Sequence, residues 1–210
     1  MEENTEKKGL RTAPFRLAFP AVFKPKAFEG GEAKFTITML FPKSGNSLIP
    51  SLPGSFMDLR REAYRAAVEE WGVDQSKWPP TIQALDFKTH VSLAGKDGWP
   101  IRDGDTVSWD GFAGMWFVRA TTKFPPSVVD NTVHEILRDD AVFGGLICRA
   151  YVSAFAYDSP MNKGISFGFQ TLQTLEDDGV RFGGFVNPKD VFSAYEPSQP
   201  ATAAGSGAPW

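Results

Sequence analysis

Between Leu146 and Tyr157 the chain reads LICRAYVSAFAY, and its side chains alternate without a break. In an extended strand Cys148, Ala150, Val152, Ala154 and Ala156 fall on one face and Arg149, Tyr151, Ser153, Phe155 and Tyr157 on the other. The segment FTITMLF does the same, with Phe35, Ile37, Met39 and Phe41 on one side and Thr36 and Thr38 on the other, so it reads as a half-buried strand. A chain built on such segments buries its core between sheet faces. The 18 Phe and 6 Trp, set among 20 Gly and 16 Pro, agree with short strands and many turns and argue against a helical bundle.

Other elements follow from local signals. FRLAFPAVF, residues 15 to 23, mixes strand formers with Pro20, which removes a ladder donor and predicts an edge, a bulge or a break. KPKAFEGGEAK after it reads as a loop. Ser55 is a candidate N-cap for one helix, in which Phe56, Leu59, Ala63, Ala67 and Trp71 share a face before Gly72 stops it. Residues 74 to 100 read as loop with at most a short strand at Phe87 to Val91. Further strands are expected at 109 to 122 and, as a hairpin about the EDDG turn at Glu176 to Gly179, at 164 to 175 and 180 to 185. Strands with one inserted helix predict a mainly β fold, an OB-fold-like, partly closed antiparallel barrel. Residues 1 to 12 read as a disordered lead, 13 to 195 as one domain and 196 to 210 as a flexible Ser, Ala, Gly and Pro tail.

Several classes of chemistry find no support. A single cysteine, Cys148, leaves no internal disulfide and no multi-cysteine zinc site, and on the small-residue face it reads as core; His90 and His134 are too few for a histidine cluster. No phosphate-cradling glycine loop, HExxH or GxSxG occurs, so neither an enzyme nor a cofactor is expected. Asp103, Asp105 and Asp110 fit polar turns better than a divalent-metal loop, because their spacing is not that of an EF-hand. The opening MEENTEKKGLRT is polar, and no run approaches the ~18 apolar residues of a membrane span, which predicts a soluble intracellular chain.

Basic and aromatic residues interleave. Arg149 with Tyr151, Phe155 and Tyr157 is an unusual composition for a solvent-facing strand face. It suits a surface that stacks bases and neutralises phosphates, since every base has a π-face. The alternative is that this face packs beneath the helix or a loop. The strand at Met115 to Thr121 carries the same ambiguity, with Phe117 and Arg119 on one face and Trp116 as a further aromatic; Arg119 and Lys123 are the preferred cations there. The net charge of the chain is -3, yet residues 7 to 34 bring Lys7, Lys8, Arg11, Arg16, Lys24, Lys26 and Lys34 against Glu29 and Glu32. Basic surface in this protein is therefore local.

The blocks RLAFPAVFKPKAF, FTITMLFPKSG, IRDGD, VRATTKFPPSVVD and GGLICRAYVSAFAYDSPMNKGISFGFQTLQTL occur in that order between Arg16 and Leu175, within a stretch of roughly Phe15 to Tyr195. Together they resemble the phage-encoded single-stranded-DNA-binding protein family of tailed phages. The resemblance implies an OB-fold with an inserted helix, no catalysis, and sequence-independent binding of single-stranded DNA during phage replication and recombination in the host cytoplasm. Matched block by block, it implies DNA contacts at Lys24 and Lys26, at Arg119 and Lys123, at Arg149 and Tyr157, and at Lys163, with Asn162 and Gly164 in the same loop; Lys34, Trp116, Tyr151 and Phe155 join the expected DNA-binding set from the charge and strand-face patterns above. Such chains often end in an acidic tail with a terminal aromatic. Here Trp210 is present and the acids are nearly absent, so its reading as a docking residue for phage or host replication proteins stays open beside fold-back onto DNA-binding surface and an incidental end. A homodimer, a strand-annealing role, a structural phage protein and a small metal enzyme stay open as alternatives.

Overall fold

A computed structural model of the chain describes residues 9–27, 30–52, 54–83, 98–158 and 162–183, with Val191 and Ser193. In chain order the elements are β1 (Leu10–Arg11), β2 (Phe15–Lys26), β3 (Lys34–Pro42), α1 (Phe56–Trp71), α2 (Pro80–Gln83), β4 (Ile101–Asp103), β5 (Met115–Thr122), β6 (Ser127–Val129), β7 (Ile147–Asp158) and β8 (Lys163–Glu176). Five strands form a ring in which β2 bonds β3, β3 bonds β5, β5 meets β8, β8 bonds β7, and β7 returns to β2. The ring is only partly closed. β5 and β8 run parallel and share the single pair Ala120↔Phe167, and β7 meets β2 only at Phe15↔Cys148 and Arg16↔Ile147. This is the expected mainly β, OB-fold-like architecture with one long helix.

The alternating patterns decide what lies inside. Phe35, Ile37, Met39 and Phe41 of β3 and Cys148, Ala150, Val152 and Ala154 of β7 join one core with Phe15, Leu17, Phe167 and Phe169. Each large apolar side chain buried there contributes about 1.5–3 kcal/mol. α1 packs against β7 and β8, and the residues it buries are Leu59 and three alanines, Ala63, Ala66 and Ala67, set against the small face of β7. The face of β7 under the helix is therefore the alanine face, not the aromatic one. Ser55 caps α1 as expected: its Oγ accepts from Met57 N at 3.1 Å, and Asp58 Oδ2 accepts from Ser55 N at 3.0 Å.

Pro20 marks a bulge. In the β2–β3 ladder Ala18 faces Thr38 and Ala21 faces Thr36, so Phe19 and Pro20 together stand opposite Ile37. The extra residue reverses the alternation: Phe15 and Leu17 enter the core before it and Val22 after it. Phe19 takes a left-handed backbone, φ 47°, and projects from the sheet.

Several expectations need correction. β2 continues through Lys26, because past the bulge it pairs again with β3 at Ala21↔Thr36 and, after a second irregularity, at Lys26↔Lys34. The expected strand at 109 to 122 begins only at Met115; Trp109 to Gly114 is a loop turned by Gly111 and Gly114, both at positive φ, and pinned where Gly114 N donates to Asp105 Oδ1 at 2.6 Å. That loop drops Phe112 into a satellite cluster with Ala18, Leu40 and Phe117. The hairpin about Glu176 to Gly179 does not form over residues 180–183. β8 is already bonded by β7 on one edge and by β5 and β6 on the other, so no edge is left for it. The chain instead leaves the sheet, Asp178 takes a bidentate bond from Arg16, and Phe182 N donates to Gly144 O. Leu10 and Arg11, within the expected lead, pair with Val152 and Tyr151. β4 and β6 were not foreseen. The possible strand at 87 to 91, His90 and the tail with Trp210 lie outside the described residues.

Candidate nucleic-acid interface

Because Ile37 and Met39 point into the core, Thr36 and Thr38 point out, and in β5 the same parity turns Phe117, Arg119 and Thr121 outward while Val118 and Ala120 are buried. Register joins the two strands as Thr36↔Thr121 and Thr38↔Arg119. Short hydroxyl side chains thus floor a groove of about 620 Å3 across the outside of β3 and β5. Its walls come from Lys26 and Ala27 at the end of β2, from Trp99 and Pro100, from Arg102 of β4 beside Phe117, and from Tyr157, Ile165 and Ser166 where β7 turns into β8.

Charge and aromatic surface converge on this groove. Lys26, Arg102 and Arg119 line it, and among the described residues no carboxylate does. At one end Phe19 and Trp109 stand 55% and 50% exposed. They are held firmly all the same: their rings meet edge to face at 5.4 Å, and Phe112, fully buried, supports both at 5.7 and 5.1 Å. Two anchored, half-exposed rings beside three cations can stack bases and bind phosphates with little ordering cost.

The structure sorts the sequence-derived site residues. Lys26, Arg119 and Tyr157 line the groove. Lys34 stands across from Lys26 in the ladder, and Phe155, 46% exposed, stands across from the groove residue Ser166. Lys24 pairs with Asp139 at 3.0 Å, Lys123 with Glu32 at 2.8 Å and Lys163 with Asp158 at 2.7 Å, all on the surface. The hydrogen bond from Lys123 holds the Glu32 carboxyl below its ordinary range. Trp116 is on the other side of β5, its ring parallel to Phe56 of α1 at 6.3 Å with Lys43 Nζ 4.7 Å from its centre, so the structure makes it a packing residue. Arg149 and Tyr151 lie at the far end of β7, away from the groove, in a smaller cavity with Arg11.

The acidic cluster also has an internal role. Asp103 and Asp105 both accept from Lys43, and the Gly114 amide, then Lys43, lowers the Asp105 carboxyl. Cys148 is fully buried, and burial pushes its thiol up. Sequence reasoning missed Phe19, Trp109 and Arg102. Pro20 was the available signal for the first, since a bulge re-aims a side chain; Arg102 and Trp109 sit in segments read as turn and strand, which gave no sign that they converge.

A partly closed five-strand ring with a basic, aromatic-ended groove across its second and third strands is the arrangement with which OB-folds hold oligonucleotides and oligosaccharides. The sequence model of the family described as Enterobacter phage Enc34, ssDNA-binding protein, matches residues 8–202, and the chain belongs to that family. Protein p50 of Acyrthosiphon pisum secondary endosymbiont phage 1 is 28% identical over 180 residues, 84% of this chain and 88% of p50. The fold resembles the single-stranded DNA-binding protein of bacteriophage Enc34, solved in complex with ssDNA (TM-score 0.62, 18% identity, 85% of this chain and 91% of that one). It also resembles gp2.5, a single-stranded DNA-binding protein of bacteriophage T7 (TM-score 0.51, 13% identity, 84% and 99%).

Proposed function

We propose that this chain binds single-stranded DNA without sequence preference in the groove over β3 and β5, during phage replication and recombination in the host cytoplasm. Lys26, Arg102 and Arg119 take the phosphates, and Phe19, Trp109 and Tyr157 offer faces or edges to bases. The observation that carries this reading is the meeting of the exposed Phe19–Trp109 pair with three cations in one groove of a chain whose net charge is -3. In such a chain the overall field repels DNA, so attraction has to come from a local site.

The reading is of a binding protein, not an enzyme. The one thiol is buried, and Asp103 and Asp105, two of the three acids weighed as metal ligands, are engaged by Lys43. No helix among the described residues is long and apolar enough to cross a membrane. Titration with oligo(dT), followed by intrinsic tryptophan fluorescence at several salt concentrations, tests the proposal, with Trp109 as a reporter inside the site. Quenching, a preference for oligo(dT) over blunt duplex, and log affinity falling with log salt by about 0.7 per phosphate neutralised are the expected results. Equal affinity for duplex, or no response to salt, overturns it.

A further inference from the structure

The outer face of the β7–β8 hairpin carries a second pattern. Its cross-strand pairs are Tyr157↔Gly164, Phe155↔Ser166, Ser153↔Gly168, Tyr151↔Thr171 and Arg149↔Gln173. Three aromatics of β7 thus stand opposite glycine, serine and threonine; Phe155 is exposed, Tyr151 and Tyr157 are half-buried, and Gly9 lies against the Tyr151 ring. A bulge at Gln170 makes the pattern possible: it reverses the alternation of β8, sending Leu172 into the core and Thr171 and Gln173 to the other face, where Thr171 is half-exposed and Gln173 is buried. The Phe155 ring leans over Gly168, where an added Cβ would still have 3.8 Å of clearance.

This face joins two sites. Tyr157 and Ser166 belong to the groove; eight residues along, Arg149, Tyr151, Thr171 and Gln173 line a separate cavity of about 190 Å3 together with Arg11, which pairs with Tyr151 in register. The span is about 26 Å, at about 6.6 Å between successive outward side chains. Arg149 is braced by its Nε edge, donating to Gln173 Oε1 at 2.7 Å, while Gln173 Nε2 donates to Asp130 O at 2.9 Å. The Asp130 carboxylate is turned to Thr132 and His134, and no acid among the described residues lines the cavity. Partial burial, and then the nearby charge of Arg11, lower Arg149, and among the described residues no carboxylate bonds either arginine.

We propose that the bound DNA strand does not end in the groove but runs on over Tyr157 and Phe155, along the outside of β7, to a second phosphate station at Arg149 and Arg11. The proposal rests on the groove reading and extends it. One strand is the occupant because the face is continuous with the groove, alternates rings with small partners, and ends in positive charge.

Oligo(dT) of about 4 and about 12 nucleotides, within the span of site sizes known for such folds, separates the two sites. With the full chain, Arg11→Ala combined with Arg149→Ala should weaken the longer oligomer about tenfold, make its salt slope shallower by about 1.4 for two lost phosphate contacts, and leave the shorter one unchanged. Gly168→Asp, which places a like charge on the path at a position with ordinary backbone and space, should also weaken only the longer one. It keeps the test decisive if loss of Arg149 disturbs folding. Arg119→Ala should weaken both lengths. Unchanged affinity and slope for the longer oligomer in the arginine and Gly168 variants overturns the extended path and leaves the groove standing. Wild-type protein that binds neither length overturns the groove reading and this proposal with it.

Discussion

The Phe19 ring meets the Trp109 ring edge to face, 86° between planes, although the two residues come from a strand bulge and from a loop ninety positions later. The contact exists because Phe19 is held at φ 47°, a left-handed backbone that a bulky side chain adopts at a cost of about 1–3 kcal/mol. The ladder supplies the constraint: Ala18 and Ala21 are both fixed against β3, and Pro20 allows only a narrow range of φ.

Replacing Phe19 separates strain from binding. Phe19→Ala loses the ring and keeps the unfavourable backbone, whereas Phe19→Gly loses the ring and relieves it. The glycine variant should be about 1 kcal/mol more stable than the alanine variant in urea unfolding, while both weaken oligo(dT) binding by roughly 1–3 kcal/mol. Equal stability of the two would show that the backbone at residue 19 is not strained.

Trp116 should behave in the opposite way. With its ring stacked on Phe56 and covered by Lys43, Trp116→Ala should cost about 1–2 kcal/mol of stability and leave the affinity of the folded protein for oligo(dT) unchanged. A loss of affinity without a shift in the unfolding midpoint would return Trp116 to the DNA site.

How far the sequence could be read follows from the range of each signal. Alternation in β3 and β7 is local, so both strands, their inward faces and the Ser55 cap were legible. Lys26, Arg119 and Tyr157, which all line the groove, were singled out, the first by local charge and the other two by the outward faces of their strands. Trp109 and Arg102 were not, since each reaches the groove through a pairing or a loop that depends on residues far away: Arg102 through β4 beside Phe117, Trp109 through turns at Gly111 and Gly114. The false hairpin at Glu176 to Gly179 has the same origin. Its turn residues suit a hairpin, but the edge they would need is occupied by β5 and β6.

The Arg16–Asp178 pair sets an acid limit to stability. Arg16 donates to both carboxylate oxygens and to Gly145 O, and its hydrogen bonds hold the Asp178 carboxyl below the ordinary value near 3.9. A carboxyl lowered by folding stabilises the native state above its unfolded value and loses that contribution as pH falls through the folded one. Asp178→Asn should therefore lower the unfolding midpoint at neutral pH and flatten its decline below about pH 4, with the partial exposure of Asp178 keeping the effect modest. Chemical unfolding at pH 3, 4 and 7 checks this, and a parallel decline in both proteins would mean that other carboxylates set the limit.

Gly164 lies where the groove wall is joined to the hairpin. A Cβ at this position would stand 2.4 Å from Gly98 Cα, 2.5 Å from Gly98 O and 2.6 Å from the Tyr157 hydroxyl, and the first two are backbone atoms that cannot rotate away. Ile165 N donates to Gly98 O at 2.8 Å, so the methyl group of Gly164→Ala has to break or stretch the bond that ties the 98–100 segment to β8. The lost bond should cost about 1 kcal/mol of stability. Its larger effect should be on the groove, because Trp99 and Pro100 move with Gly98, and Tyr157 is pushed from the opposite side. The variant should keep its far-ultraviolet circular dichroism, bind oligo(dT) more weakly, and show a red-shifted tryptophan emission as the buried Trp99 gains contact with water. Wild-type affinity together with unshifted emission would mean that the 98–100 segment moves without opening the groove, and that the wall does not need Gly164 to hold its shape.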